Sequence, residues 1–203
     1  MGGGNGACAA SLPGPQGTHG NLLFIILGPM SYRDFLIQGV VFAVRFETGV
    51  EKPTRICSVS DDRTIRVWGL PSSTSHSVDP TTSSAVCELW GHGARVWDCV
   101  LRGDRVYSVS EDSHAAEWSC AAKERVATRS LKSNVYSTDV DPSGRWVVAG
   151  CTDGSVRMWP ASSAAGSALE SAPTELKLPG DDAIRFVVLS KLTESLLVTS
   201  VNG

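Results

Sequence analysis

An all-β fold built from repeated four-stranded units is what this sequence predicts, on three observations. An aspartate is followed six residues later by a tryptophan three times, as Asp62 to Trp68, Asp112 to Trp118 and Asp153 to Trp159. Each copy follows a short run of small and aliphatic residues, at Ile56–Ser60, Val106–Ser110 and Val147–Cys151, so each unit reads as strand, tight turn, strand. Trp118 lies 50 residues after Trp68 and Trp159 lies 41 after Trp118. That period suits a four-stranded propeller blade with variable loops better than a helical solenoid unit. Helix signals are nearly absent.

The remaining strands follow in order. A strand rich in β-branched and aromatic residues precedes each hairpin, at Val41–Phe46, Val96–Leu101 and Val135–Val140. In the third unit Asp141-Pro142-Ser143-Gly144 places Asp, Pro and Gly where a tight turn wants them. Outer strands are predicted over Ala85–Leu89, Glu124–Ser130 and Glu175–Leu178, and another unit starts with Ile184–Leu189 and Leu196–Thr199. Blades are therefore predicted at about 38–89, 90–130 and 131–178, with the start of another over 184–203, after a non-repeat segment 1–37. About three and a half blades fall short of the four to eight or so that close a propeller, so an incomplete ring is expected. The repeat breaks off at Asn202-Gly203, where the next turn should begin. The sequence thus reads as a fragment or an incompletely predicted gene product.

These residues resemble the WD-repeat family of β-propellers, whose pattern runs Gly-His, strand, Ser-x-Ser-x-Asp, then a strand ending in Trp-Asp. The second unit matches most of it with Gly91-His92, Ser108, Ser110, Asp112 and Trp118. The first keeps Ser58, Ser60, Asp62 and Trp68, with Ile37 at the histidine position and Gly69 after the tryptophan. The third keeps Asp153 and Trp159, with Leu131 for the histidine and Ala149 and Cys151 for the serines. The resemblance implies a structural network. The Asp accepts hydrogen bonds from turn amides and from the His, the His reaches a Ser hydroxyl, and the Trp indole bonds the same Ser. Fully paired buried groups fix one arrangement, and each one left unpaired costs about 1 to 3 kcal/mol. Only the second unit holds every member. The same residue types suggest a nucleophilic triad, but the serine would lie inside a sheet with no strained Gly-x-Ser-x-Gly turn to expose it. No catalytic residue is assigned, and the chain is not expected to be an enzyme.

A finer resemblance lies in Trp90 to Cys99, which looks like the Gly-His-x-Ala-Arg-Val-Trp signature of the WD repeat-containing protein six family. That family is the non-catalytic partner of a tRNA 2′-O-ribose methyltransferase acting in the anticodon loop. The resemblance implies a scaffold that positions tRNA or holds the methyltransferase active, with S-adenosylmethionine and the chemistry supplied by the enzyme and tRNA met through the complex. Arg95 and Trp97 are the partner-binding candidates. Each has a plainer reading, Trp97 as a core aromatic and Arg95 as a loop projection. The alternative function is a generic WD-repeat adaptor, a substrate receptor or signalling scaffold.

Composition adds exclusions. A net charge of −3 gives no general attraction to nucleic acid or anionic lipid, and 42% hydrophobic residues can fill a core. Six cysteines without a Cys-x-x-Cys pair indicate neither a zinc site nor a disulfide framework, so no metal, no cofactor and a reducing, cytoplasmic location are expected. No small-molecule substrate and no membrane are expected either. The apolar run Leu22–Leu27 is far shorter than the roughly 20 residues of a membrane span and lacks the basic flank of a signal peptide. No Walker-type lysine follows the N-terminal glycines. Residues 1–37 read equally as a disordered extension or as an aberrant gene start joined near Gln38. Inserts at Pro71–Ser84 and Ala161–Pro173 read as surface loops. Arg63, Arg66, Arg102, Arg105, Arg145 and Arg157 suggest a basic rim, but their acidic neighbours favour a solvated mixed-charge face.

Overall fold

The computed structural model describes residues 39–70, 85–161, 172–190 and 195–201. The readings made for residues 1–37, for Asn202-Gly203, for Pro71–Ser84 and for most of the second insert lie outside them. The described residues form fourteen strands and no helix. Accordingly, no helix among them is long and apolar enough to cross a membrane.

Three antiparallel four-stranded sheets follow one another along the chain. The first joins β1 (Val41–Phe46), β2 (Arg55–Ser60), β3 (Ile65–Gly69) and β4 (Cys87–Leu89). The second joins β5 (Val96–Arg102), β6 (Arg105–Ser110), β7 (His114–Ser119) and β8 (Glu124–Ser130). The third joins β9 (Val135–Val140), β10 (Trp146–Cys151), β11 (Ser155–Pro160) and β12 (Thr174–Lys177), and a two-stranded sheet of β13 (Ile184–Leu189) and β14 (Leu196–Ser200) comes next. In every sheet the strands lie in chain order, so each is a blade. The described blades do not close a ring.

The outermost strands depart most from the sequence reading. Pairing of β3 with β4 stops at Val67 opposite Cys87, which trims the strand expected from Ala85. β12 begins one residue earlier than expected, at Thr174 opposite Met158, and its last assigned residue is Lys177, although the Leu178 amide still donates in register to the Gly154 carbonyl at 3.2 Å.

The Asp-to-Trp hairpins share one turn. The residue after each aspartate has positive φ, at Arg63 (68°), Ser113 (65°) and Gly154 (77°). The aspartate carboxylate accepts the amide two residues on, from Thr64 at 2.9 Å, His114 at 2.9 Å and Ser155 at 3.1 Å. A short acidic side chain that bonds its own backbone is what lets an ordinary residue hold this left-handed conformation. That is why the aspartate recurs where the rest of the pattern decays.

Each blade buries one face against the next. Val59, Ile65 and Val67 of the first pack with Val96, Val106 and Trp118 of the second. Tyr107 and Val109 of the second pack with Val135, Val147 and Trp159 of the third, and Val148 and Val156 pack with Ile184 and Val187 of β13. Ile56 and Trp68 cluster within the first blade with Val44, Leu70 and Ala85, but the larger clusters each span two blades, so the stack is the stable unit. The third contact is close enough that a Cβ on Gly150 would lie 2.6 Å from Ile184 Cγ2, and only glycine fits there. Cys57 and Cys99 meet across the first two blades with their sulfurs 3.0 Å apart. Burial raises the Cys99 thiol pKa well above its usual range and pushes that of Cys120 up to about 12, so these cysteines act as small core residues, not as nucleophiles.

Candidate interaction surface at the leading end of the inner strands

The second blade joins all the expected polar residues in one network. His92 Nδ1 lies 2.9 Å from Asp112 Oδ2, and His92 Nε2 lies 2.8 Å from Ser108 Oγ. Trp118 Nε1 donates to the same Ser108 oxygen at 2.8 Å, and the Gly93 amide donates to Asp112 at 2.7 Å. Ser110 Oγ accepts the Asp112 amide at 3.1 Å and donates to the Arg95 carbonyl at 2.8 Å. An ionised Asp112 fixes the tautomer: Nδ1–H donates to the carboxylate, leaving Nε2 to accept from Ser108. Ser108 is 1% exposed and its oxygen is already shared between two partners. It therefore holds the blade together and is not placed to attack a substrate.

Burial alone would raise the Asp112 pKa, but the His92 hydrogen bond and the Gly93 and His114 amides outweigh it and hold the carboxyl down at about 2. A carboxylate depressed in the folded state stabilises the fold above its unfolded pKa, and that contribution disappears as pH falls toward the folded value. Stability is therefore expected to fall between about pH 4 and pH 2. Acid titration monitored by circular dichroism checks this. The Asp112→Asn variant is expected to show a smaller loss over the same interval.

The other two blades solve the missing histidine differently. In the first, Trp68 Nε1 donates to Ser58 Oγ at 2.9 Å, Ser60 Oγ accepts the Asp62 amide at 3.2 Å, and Arg66 reaches both Asp62 at 3.3 Å and Glu88 at 2.9 Å. In the third, Arg157 donates to Asp153 at 2.7 Å, to Glu175 at 3.1 Å and to the carbonyl of Leu131 at 2.6 Å. Leu131 stands at the histidine position, so Arg157 makes the same link from turn to incoming chain that His92 makes in the second blade. Both arginines fall four residues after their aspartate, and the equivalent residue in the histidine-bearing blade is Ala116. This exchange was visible in the sequence but was read there as part of a solvated rim. Arg66 and Arg157 are 3% and 7% exposed, and they belong to the blade interior.

The four inner strands, β1, β5, β9 and β13, stand side by side. Each carries a β-bulge at its second residue, seen as register shifts between Val41 and Ala43, Val96 and Asp98, Gly150 and Cys151 on the partner of β9, and Ile184 and Phe186. The bulged residues are Phe42, Trp97, Tyr136 and Arg185. A bulge inserts an unpaired residue and re-aims its side chain, and here the four gather at the leading end of the strands. Phe42 and Trp97 ring centroids are 4.4 Å apart, and Trp97 meets Tyr136 edge-on at 5.2 Å. Arg185 lies 5.9 Å from the Trp97 centroid and 5.1 Å from that of Tyr136, while Arg95 lies 5.6 Å from Trp97. Arg95 also pairs with Glu111 at 2.8 Å. Trp97 is half-buried, and its indole N–H is shielded from water without an acceptor among the described residues.

One layer further along the same strands runs a polar belt. Asp98 receives two hydrogen bonds from Arg45 of the first blade, at 3.0 and 2.9 Å. It also accepts Ser137 Oγ at 3.1 Å and the Thr138 amide at 3.2 Å from the third. Ser137 Oγ in turn accepts the Val187 amide of β13 at 3.3 Å. Among the described residues no group of three His, Cys, Asp or Glu side chains is placed to hold a metal ion.

Comparison with known proteins agrees with this architecture. The profile of the family described as WD domain, G-beta repeat matches residues 125–160, which span β8 to β11. The tRNA (34-2′-O)-methyltransferase regulator WDR6 of Rattus norvegicus is 25% identical over 167 residues, covering 81% of this chain and 14% of that protein. The chain therefore spans about a seventh of that relative's length. Ribosome biogenesis protein YTM1 of Eremothecium gossypii is 31% identical over 99 residues, 47% of this chain and 21% of that protein. The solved WD40 β-propeller domain of Doa1 superposes with a TM-score of 0.61 at 18% identity, over 81% of this chain and 49% of that one. Chain-ordered four-stranded blades, repeated Asp-to-Trp turns and these likenesses show the fold of an open β-propeller, with a WD repeat matched at residues 125–160.

Proposed function

We propose that this chain is a non-catalytic WD-repeat scaffold that engages a tRNA 2′-O-ribose methyltransferase, with Arg95 and Trp97 at the contact and tRNA met through the complex in the cytoplasm. The observation that carries the reading is the position of one segment. Gly91 to Trp97, which bears the family-like signature, delivers its tryptophan by a β-bulge to the middle of the aromatic layer. The likeness to a methyltransferase regulator over 81% of the chain supports the same partner. The blade limits proposed with it are 38–89, 90–130 and 131–178, with another blade begun at 184.

The test is co-purification of the full-length protein with a 2′-O-ribose methyltransferase from the same organism. Arg95→Ala combined with Trp97→Ala is expected to weaken capture by about 2 kcal/mol, close to thirtyfold, as loss of an aromatic and arginine anchor does. Failure of the unaltered full-length protein to hold the enzyme rejects the proposal. A general adaptor role is the second reading, favoured by the higher identity to a ribosome biogenesis protein. It predicts a stable partner that is not a methyltransferase.

A further inference from the structure

The six arginines weighed as a basic rim and read as a solvated mixed-charge face have separate fates. Arg66 and Arg157 are buried in their blades, Arg63 donates to the Gly93 carbonyl at 3.4 Å, and Arg145 donates to Ser143 at 2.9 Å. Among the described residues the Arg105 side chain has a single long ion pair, 3.7 Å, to Glu117. The side chain of Arg102, the last residue of β5, has neither a hydrogen bond nor an ion pair among the described residues. It is half-buried all the same.

Arg102 lies across two turns of neighbouring blades at the trailing end of the inner strands, opposite the aromatic layer. A Cβ placed on Gly49 would stand 2.3 Å from its Nη1, and one placed on Gly144 would stand 2.5 Å from its Nε. Both glycines have positive φ, 77° and 75°, so the turns are shaped for glycine and the space above each is filled by the guanidinium. The first turn is strapped to the second blade by the Thr48 amide on Leu101 O at 2.8 Å and by Arg55 on Gly103 O at 2.7 Å. This geometry fixes where the side chain lies without satisfying its N–H groups. An open cavity of about 330 Å³ is bordered by Arg102, Arg105, Thr48, Gly103 and Ser143.

Nearby carboxylates do not neutralise it. Glu47 is held by Arg55, Asp104 by Ser119 Oγ and the Ala121 amide, and Asp141 by the amides of Arg145 and Trp146. Asp139, which borders the neighbouring cavity, accepts the Leu189 and Val140 amides. A guanidinium stays protonated, and a partly dehydrated one without an acceptor is unfavourable. Two guanidinium groups border one open cavity, Arg102 uncommitted and Arg105 only 3.7 Å from Glu117, and an open fork beside a second cation suits an oxyanion with several acceptor oxygens. We infer that Arg102 and Arg105 form an oxyanion site that takes a phosphate group. The site is independent of the methyltransferase proposal, because it lies at the other end of the strands and shares no residue with it.

Thermal unfolding of the intact protein in inorganic phosphate, against chloride of equal ionic strength, tests the site. Phosphate at ten times its Kd multiplies the folded-to-unfolded ratio about elevenfold if it binds the folded state alone. The midpoint is expected to rise in the unaltered protein, not in Arg102→Met, and only weakly in Arg102→Lys, which keeps the charge and loses the fork. If Arg102→Met fails to fold, Arg102→Lys decides. An equal rise in all three, the general effect of an excluded salt, overturns the inference, and so does the lack of any rise. A fluorescent oligouridylate identifies the source: binding that depends on Arg102 and competes with phosphate assigns an RNA phosphodiester. A response to inorganic phosphate alone assigns a free phosphate or monoester.

Discussion

Trp118→Ala is expected to lower the unfolding free energy by about 3 to 5 kcal/mol, the range for removing a large buried aromatic from a packed core. Trp118 is 1% exposed and packs in the seam between the first two blades with Val59, Val67, Leu101 and Val106. Its truncation empties space on both sides of that seam and removes the donor to Ser108. Trp118→Phe separates the two effects, since it keeps most of the volume and loses the indole N–H. It is expected to cost about 1 kcal/mol, the net worth of one hydrogen bond, because Ser108 keeps its bond to His92. Trp97→Ala is the contrast, because Trp97 is half-buried and its N–H makes no hydrogen bond among the described residues. Urea denaturation followed by far-ultraviolet circular dichroism orders the three. Equal shifts for Trp118→Ala and Trp97→Ala would falsify the assignment of Trp118 to the blade seam.

The same two tryptophans show what the sequence could convey. Blade order, hairpin position and the bounds of β1, β8, β9 and β13 were legible because β-branched residues and Asp-x-x-x-x-x-Trp spacing act locally. The partners of buried charges were not legible, because they come from other blades. Asp98 bonds Arg45, 53 residues away, and Thr138, 40 residues away. No spacing rule within one repeat reaches so far. The six arginines looked alike in sequence, yet Arg66 and Arg157 are buried, Arg63 and Arg145 have surface partners, Arg105 faces the buried Glu117, and the Arg102 side chain has no partner among the described residues. The exchange of His92 for Arg66 and Arg157 is intermediate. Arginine four residues after the aspartate occurs in the first and third blades, which lack the histidine, and not in the second, but its meaning depends on the Leu131 carbonyl lying within reach of Arg157. Bulges at Phe42, Trp97, Tyr136 and Arg185 were hidden because a one-residue insertion leaves the β-prone composition unchanged.

Asp98→Ala is expected to destabilise the protein by about 3 kcal/mol, at the low end of the range for breaking a buried ion pair. The low end applies because Arg45, whose side chain is 43% exposed, can return to water once its partner is gone. The Thr138 amide and Ser137 hydroxyl cannot, as both residues are buried. Asp98 itself is 2% exposed and is the point where hydrogen bonds from the first and third blades converge. Arg45→Ala is therefore expected to cost less, about 1 kcal/mol, since the remaining donors still meet the carboxylate. The two variants differ in reach as well as size. Loss of Asp98 also frees Ser137 Oγ, which holds the Val187 amide, so faster hydrogen exchange is expected at Thr138 and at Val187. Arg45→Ala leaves that chain of bonds in place and is expected to leave both amides protected. If Arg45→Ala proves as damaging as Asp98→Ala, or if Val187 exchange is unchanged in Asp98→Ala, the belt does not couple the blades. A belt that does couple them places the cohesion of the open propeller in one carboxylate on its inner wall, between the aromatic layer at one end and Arg102 at the other.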